Sequence, residues 1–219
     1  MIRSNKIKIF LLYFFLFAGG LWHILNVFQT LMSMLAGPLL IGLGIWLYYE
    51  IQISINLKYV NRFNIWAIIV LVFSFVIETL GVKTGVIFGV YNYGDILWPQ
   101  IMSVPIAIGF AWFSMLVCSI ALMQRFPIIK TSDMWIQILI ISILMTFFDF
   151  MMEPAAIKLN YWSWHSVTVP LQNYLAWFIL SFILLVIGLQ MDITKLKLPT
   201  IVMHAYFAQL IYFIMIMFK

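Results

Sequence analysis

The chain contains seven long apolar stretches separated by short polar segments, and these stretches constrain its fold more than any other feature. Each has about the length that a helix needs to cross a hydrocarbon core of about 30 Å. Because a lipid interior offers no partner for free backbone groups, such stretches must form helices. We predict one all-α polytopic membrane domain over residues 1–219, a bundle of about seven transmembrane helices at roughly 7–27, 29–49, 64–81, 103–123, 133–153, 171–190 and 199–218.

The composition excludes an ordinary water-soluble domain, since 65% of the residues are hydrophobic and only 9% are charged. The net charge of +5 reflects topology and does not indicate a nucleic-acid partner, because the basic residues fall mainly in the N-terminus and in every second loop. Nine lie there: Arg3, Lys6, Lys8, Lys58, Arg62, Arg125, Lys130, Lys195 and Lys197; the other three are Lys83, Lys158 and Lys219. By the positive-inside rule we expect a multi-pass protein of the cell (inner) membrane with a cytoplasmic N-terminus, an uncleaved first helix and a non-cytoplasmic C-terminus.

Several residues mark expected helix boundaries and interfaces. Ser103 with Pro105, Asp133 and Pro170 predict the starts of the fourth, fifth and sixth helices, since capping residues and proline favour a first turn. Pro38 predicts a kink in the second helix. The segments 80–102 and 153–170 are expected to pack over one mouth of the bundle. Tryptophans near the interfaces are typical of an aromatic belt: Trp98, Trp135, Trp162 and Trp164.

Asp149 and Glu153 stand one helical turn apart at the end of an apolar helix, so both should lie on one face. A charge facing lipid costs at least about 2.5 kcal/mol, so we expect both to point into the bundle or into a water-filled cavity. Two carboxylates so close cannot ionise independently, which leaves one protonated near neutral pH and able to act as a general acid. The structural alternative is that Glu153 caps the loop and Asp149 bonds a neighbouring helix or Lys83.

Other polar and aromatic residues fall at the same, non-cytoplasmic end. Glu78 either pairs with Lys83 or faces the cavity. Asn173 and Trp177 on the sixth helix and Trp112 on the fourth either pack between helices or line a cavity whose ring faces stabilise a cation. The three histidines lie on separate segments without metal-ligand spacing, so no metal site is expected: His23, His165 and His204.

Four ordered segments give the chain a family resemblance: ETLGVKTGVIFGVYNYGD (78–95), SVPIAIGFAWF (103–113), DFMMEPAAIKLNYWSW (149–164) and VPLQNYLAWF (169–178). Together they resemble the membrane carotenoid-biosynthesis family that contains the carotenoid 1,2-hydratases, including bisanhydrobacterioruberin hydratase. The likeness spans roughly 70–185.

The resemblance implies addition of water to the terminal 1,2 double bond of an acyclic carotenoid, without a redox cofactor or metal. The Asp149/Glu153 pair would protonate the alkene, and Glu78 or the partner carboxylate would position or deprotonate water. Aromatic faces for the cation and substrate would come from Trp112, Trp162, Trp164 and Trp177. Asn173 is also a candidate for substrate binding, as are Tyr91, Tyr93 and Lys83 in the first segment. The partners implied are a carotenoid within the bilayer, lipid and other carotenoid-pathway enzymes.

Two other functions remain open from the sequence. A membrane carotenoid cyclase would begin with the same protonation, and only the access of water to the cation separates it from a hydratase. A transporter or non-catalytic carotenoid-binding protein would use the carboxylates as a proton relay, which predicts polar residues that continue to the cytoplasmic face.

Overall fold

The computed structural model describes residues 2–127 and 133–219 and has an all-helical architecture. Within these residues there are seven α-helices: α1 (Ile2–Ile24), α2 (Gln29–Gln52), α3 (Leu57–Thr84), α4 (Ala107–Met123), α5 (Met134–Lys158), α6 (Leu171–Gln190) and α7 (Thr200–Ile216). Five of them are long and apolar enough to cross a membrane, whereas α4 and α7 are apolar helices of 17 residues. The all-α class is confirmed, and the helices indicate a membrane protein. The number of spans stays a prediction.

Side-chain caps set two helix starts. Asp133 caps α5 as expected, because its carboxylate accepts a hydrogen bond from the Trp135 backbone N–H at 2.8 Å. α3 begins at Leu57, earlier than expected, because the Asn56 side chain accepts from the Lys58 backbone N–H at 3.1 Å.

Pro170 stands at the N-cap of α6, also as expected. Pro38 and Pro154 lie inside helices that continue past them.

The fourth helix starts later than the sequence suggested, and the expected start at Ser103 is wrong. Residues 100–105 instead form a hairpin between β2 (Gln100–Ile101) and β3 (Val104–Pro105). Its two-residue turn, Met102-Ser103, has φ values of 53° and 64°. Positive φ at both central positions gives a turn whose twist matches that of paired strands. α4 therefore begins only at Ala107.

α4 forms the centre of the bundle. It is apolar on all sides, and 15 of its residues are buried, as expected for a helix surrounded by others. It packs against α2, α3, α5 and α7. The outer helices keep apolar side chains exposed on one face, such as Phe15 on α1 and Phe150 on α5, which suits contact with lipid acyl chains.

Ion pairs and hydrogen bonds join the basic loops at one end of the bundle. Lys8 on α1 pairs with the buried Glu50 of α2 at 2.6 Å. Asp192, after α6, pairs with Arg62 on α3 and with Lys195. These loops are the ones that the sequence assigns to the cytoplasm, and that orientation stays a prediction. Lys130 and the side chain of Arg3 lie outside the described residues.

A small two-stranded ribbon lies at the opposite end. β1 (Tyr91–Tyr93) follows α3 and pairs antiparallel with β4 (Trp162–Trp164), which follows α5. The segments that carry the strands are also fixed to the helices: the Trp98 indole donates to the Met34 carbonyl of α2 at 3.0 Å, and the Gln172 amide of α6 donates to the Val86 carbonyl. The two segments thus pack over one mouth of the bundle, as the sequence predicts.

Candidate active site

The ribbon presents four aromatic side chains to the bundle interior. Successive side chains of a strand point to opposite faces, so one face carries Asn92 and Ser163, which are exposed. The other face carries Tyr91 opposite Trp164 and Tyr93 opposite Trp162. The rings of Tyr91 and Trp164 are 4.9 Å apart between centroids, and those of Tyr93 and Trp162 are 6.0 Å apart. Their polar tips reach carboxylates on the helices below.

Glu78, near the end of α3, accepts three hydrogen bonds from this aromatic set and from α4. The Tyr91 hydroxyl and the Tyr93 hydroxyl, the latter at 2.9 Å, both donate to Oε2. The Trp112 indole donates to Oε1 at 3.0 Å. The side chain is 4% exposed. Of the two arrangements open from the sequence, Glu78 faces the cavity and does not pair with Lys83.

Burial and the neighbouring Glu78 carboxylate raise the pKa of both ribbon tyrosines well above the usual value for tyrosine. Burial is the larger cause, because ionising a phenol away from water is unfavourable. Both causes raise the pKa, since a nearby negative charge also opposes loss of the phenolic proton. Tyr91 and Tyr93 therefore remain hydrogen-bond donors throughout the neutral range.

Asp149 and Glu153 converge on a single amide from α6. Asn173 Nδ2 donates to Asp149 Oδ2 at 2.8 Å and to Glu153 Oε1 at 3.3 Å. All three side chains are buried, with Asp149 at 0% exposure. The expected one-face arrangement of the two carboxyl groups is thus present in the structure. Asp149 thus bonds a neighbouring helix, as the structural alternative also expected, and neither carboxyl group bonds Lys83.

The two acids differ in the number of donors they receive. Glu153 accepts from Asn173 and also from the indoles of Trp162 and Trp164, at 3.0 and 3.1 Å. Asp149 accepts from Asn173 alone, and its Oδ1 atom has no hydrogen-bond partner among the described residues. A buried polar atom left unpaired is uncommon and costly. Asp149 Oδ1 is therefore the oxygen best able to carry a proton or to meet a ligand.

The three acids and the aromatic rings surround a cavity of about 60 Å³. One water molecule needs about 10–15 Å³ of such space, so several fit. Trp112 and Trp177 form one wall as a stacked pair, with ring centroids 4.1 Å apart and planes 14° from parallel. The rest is largely apolar, from Leu97, Met115, Phe148, Met152 and Phe213.

Gln209 on α7 also lines this cavity, and the sequence reading missed it. Its side chain is 5% exposed, and Nε2 donates to the Ala205 carbonyl at 3.0 Å. No described residue donates to its Oε1 atom, so that oxygen is free to bind a ligand. A single amide within an apolar helix was the available signal, because such groups normally face the bundle interior.

The structure does not bring Lys83 to the cavity. Its side chain is exposed, and its nearest polar neighbour is the Met102 sulfur at 3.7 Å. It lies in the last turn of α3, where the helix points it outwards. Trp162 and Trp164 face the acids and not the membrane boundary, whereas Trp98 and Trp135 are 48% and 53% exposed, as belt residues would be.

The histidines do not form a metal cluster: within residues 2–127 and 133–219 no three acidic, His or Cys side chains group as ligands. His23 lies near the end of α1, and His165 bonds Asn92 at 2.7 Å beside the ribbon. His204 bonds the Tyr13 hydroxyl at 3.1 Å, joining α7 to α1. All three lie outside the acidic cavity.

Fold and site together define a helical membrane protein with a one-sided acidic and aromatic cavity beneath a ribbon. A family model described as carotenoid biosynthesis protein matches residues 36–219, and the chain belongs to this family. The match extends beyond the four resembling segments, from within α2 through α7. No curated protein and no solved structure matches the chain.

Proposed function

We propose that the protein is a carotenoid hydratase that adds water across the terminal 1,2 double bond of an acyclic carotenoid end. The observation that carries the proposal is the unpaired Asp149 Oδ1 atom, which belongs to a carboxyl group on the cavity wall beside Glu153. Family membership supplies the substrate class. The reaction needs a proton donor, a place for a short-lived cation and a water molecule.

Asp149 is the proton donor in this mechanism. The Asp149/Glu153 pair shares one proton, because two adjacent buried carboxylates do not both ionise. Glu153 receives three donated hydrogen bonds and is suited to the negative charge, so the proton resides on Asp149. It is transferred to the less substituted alkene carbon. The π electrons form the new C–H bond, and the more substituted carbon becomes a tertiary carbocation.

Water then captures the cation. The water oxygen forms the C–O bond, and one of its protons passes to Glu153 or to the Asp149 carboxylate, so that the pair again holds one proton. The stacked indoles of Trp112 and Trp177 offer ring faces to the cation while it lasts. Glu78 holds Trp112 in place through the indole N–H and contributes a negative charge near the cation. No redox cofactor or metal takes part in these steps.

The substrate end enters from the bilayer, where the rest of the polyene remains. Leu40, Ala111 and Met152 line the cavity and are only half-buried, and we place the hydrocarbon path beside them. Water enters from the side of the bundle that the ribbon covers, where the outer face carries the exposed Asn92 and Ser163. The cell membrane, with its lipids and other enzymes of carotenoid synthesis, is the setting in which such a substrate is met.

The direct test of the proposal is expression of the chain in a lycopene-producing host, followed by mass analysis of the pigments. Hydration adds the mass of one water for each end that reacts. Cyclisation after the same protonation changes the pigment but leaves its mass equal to that of lycopene. Transport or simple binding leaves both unchanged. A product of unchanged mass would therefore overturn the hydratase and, if the pigment is altered, assign the cyclase.

Gln209→Leu tests where the attacking water is held. We expect the hydrated product to fall by about tenfold, because the amide oxygen of this cavity-lining residue can accept a hydrogen bond from water and leucine offers no acceptor. The exposed Gln190 at the end of α6 provides a control, and Gln190→Leu should leave the product unchanged. Pigment mass and yield per unit of membrane protein are measured for both. Equal hydration in the two variants would remove Gln209 from the mechanism.

A further inference from the structure

A second cavity lies at the same end of the bundle, where α1 and α7 end and α2 begins. Its volume is about 90 Å³. Its wall is polar and basic, with side chains from His23, Gln29, Ser33, Lys158, Asn160 and Lys219. No Asp or Glu side chain is among the described residues that line it. The proposed hydration does not use this cavity.

The two lysines at this cavity have no acidic partner in the described part of the chain. Lys158 Nζ donates to the Met217 carbonyl at 2.7 Å, and Lys219 Nζ lies 3.4 Å from Gln29 Oε1. An ammonium group has three donors, so each keeps some free. The basic residues that do form ion pairs in the described part of the chain lie at the opposite end, where they pair with Glu50 and Asp192. Neither cavity lysine forms an ion pair with a described Asp or Glu side chain.

His23 provides an independent sign of a missing ligand. Its side chain is 6% exposed, and its Nδ1 atom has no hydrogen-bond partner in residues 2–127 and 133–219. The imidazole ring makes a T-shaped contact with the Tyr212 ring, with the ring centroids 6.1 Å apart. A buried ring nitrogen without a partner is unfavourable. A ligand in the cavity would supply that partner.

The start of α2 adds to the positive potential. Phe28 stands at its N-cap and makes no side-chain cap, and the first turn contains no acidic residue. The first N–H groups of a helix have no partner within it, and the helix dipole places partial positive charge there. Such an end favours an anion.

We propose that this cavity binds a phosphate group, as presented by an anionic phospholipid headgroup at the membrane surface or by free phosphate. Two lysines, a histidine and the Asn160 amide around a space of this size match its charge and its several acceptor oxygens. Exposed apolar side chains next to the cavity, Leu25, Phe28 and Phe218 at 65%, 60% and 78% exposure, suit the acyl chains of a lipid. The bound group would tie the end of α5 to α2 and α7.

The test measures retention of one lipid by the purified full-length chain. Native mass spectrometry from mixed phosphatidylglycerol and phosphatidylcholine micelles should show one tightly held phosphatidylglycerol. The double variant Lys158→Gln/Lys219→Gln should lose retention by about tenfold. Lys6→Gln/Lys197→Gln removes two exposed charges at the opposite end and is the matched control, which should retain the lipid. His23→Phe keeps both lysines and should also weaken retention of the lipid. This variant tests the site if the double variant does not fold.

A second arm separates the two sources of phosphate. Thermal melting in detergent is followed with inorganic phosphate against chloride at equal ionic strength. A higher midpoint that depends on Lys158 and Lys219 assigns free phosphate, and lipid retention without this effect assigns the headgroup. Either result supports the site. Retention and melting that are the same for the wild type, both double variants and His23→Phe would overturn it.

Discussion

Replacing Asp149 with asparagine is expected to lower formation of the hydrated carotenoid by about 10²- to 10⁴-fold, the range that a general acid contributes. Asparagine has nearly the same shape and can still bond Asn173, but it has no carboxylic proton to deliver to the alkene. The membrane-inserted protein should accumulate normally, because only one hydrogen bond to Asp149 is changed. Pigment mass analysis in the lycopene-producing host measures the effect.

Asp95→Asn is the matched control for this experiment. Asp95 lies at the same end of the bundle, in the segment between α3 and α4, and is exposed. The same loss of charge there should leave the pigment profile unchanged. A D149N protein that inserts and still produces hydrated carotenoid at the wild-type rate would show that Asp149 is not the acid. The remaining carboxyl groups, on Glu153 and Glu78, would then be tested by the same substitution to the amide.

Glu78→Leu should produce the largest loss of stability, because it leaves three donors without an acceptor: Tyr91, Tyr93 and Trp112. A buried donor without a partner costs about 1–3 kcal/mol, so three of them should lower the free energy of unfolding by about 3–9 kcal/mol. For a chain of this size each kcal/mol corresponds to about 2–4 °C, so the thermal midpoint should fall by at least about 6 °C. The midpoint is measured on the purified protein in detergent.

Two further substitutions on α3 complete the measurement. Glu78→Gln retains one acceptor oxygen but turns an amide donor towards the remaining groups, so its midpoint should fall between those of the wild type and E78L. Val76→Leu introduces the same leucine at an exposed position on this helix and should have little effect. A midpoint for E78L equal to that of V76L would show that the ribbon does not depend on this carboxylate.

The helices and the acid pair follow from local sequence rules, and these parts were predictable. Apolar length marked the helices, and the spacing of Asp149 and Glu153 fixed a common face before any contact was known. The cost of a charge facing lipid then implied that the pair points inwards. Asn173 was predictable as an inward-facing amide, although its bridge between both acids depends on how α5 and α6 pack.

The ribbon could not be predicted, because its strands are three residues each and lie about 70 positions apart in the chain. Nothing local in Tyr91–Tyr93 indicates a partner at Trp162–Trp164. The same limit explains the interpretation of Trp162 and Trp164 as belt residues, since their indoles find Glu153 only after the strands pair. The start of α4 was mispredicted because a serine shortly before a proline is typical of a helix start. Met102 and Ser103 instead adopt positive φ angles in the turn of a hairpin.

The alternation of side chains along the ribbon separates two kinds of evolutionary change. Each residue on its inner face bonds either Glu78 or Glu153, so a substitution there alters the chemistry of one of these acids. Asn92 and Ser163, paired on the outer face, can be exchanged, labelled or cross-linked without touching the acids. The aqueous surface of the protein can thus adapt to new neighbours while the reaction beneath it stays the same.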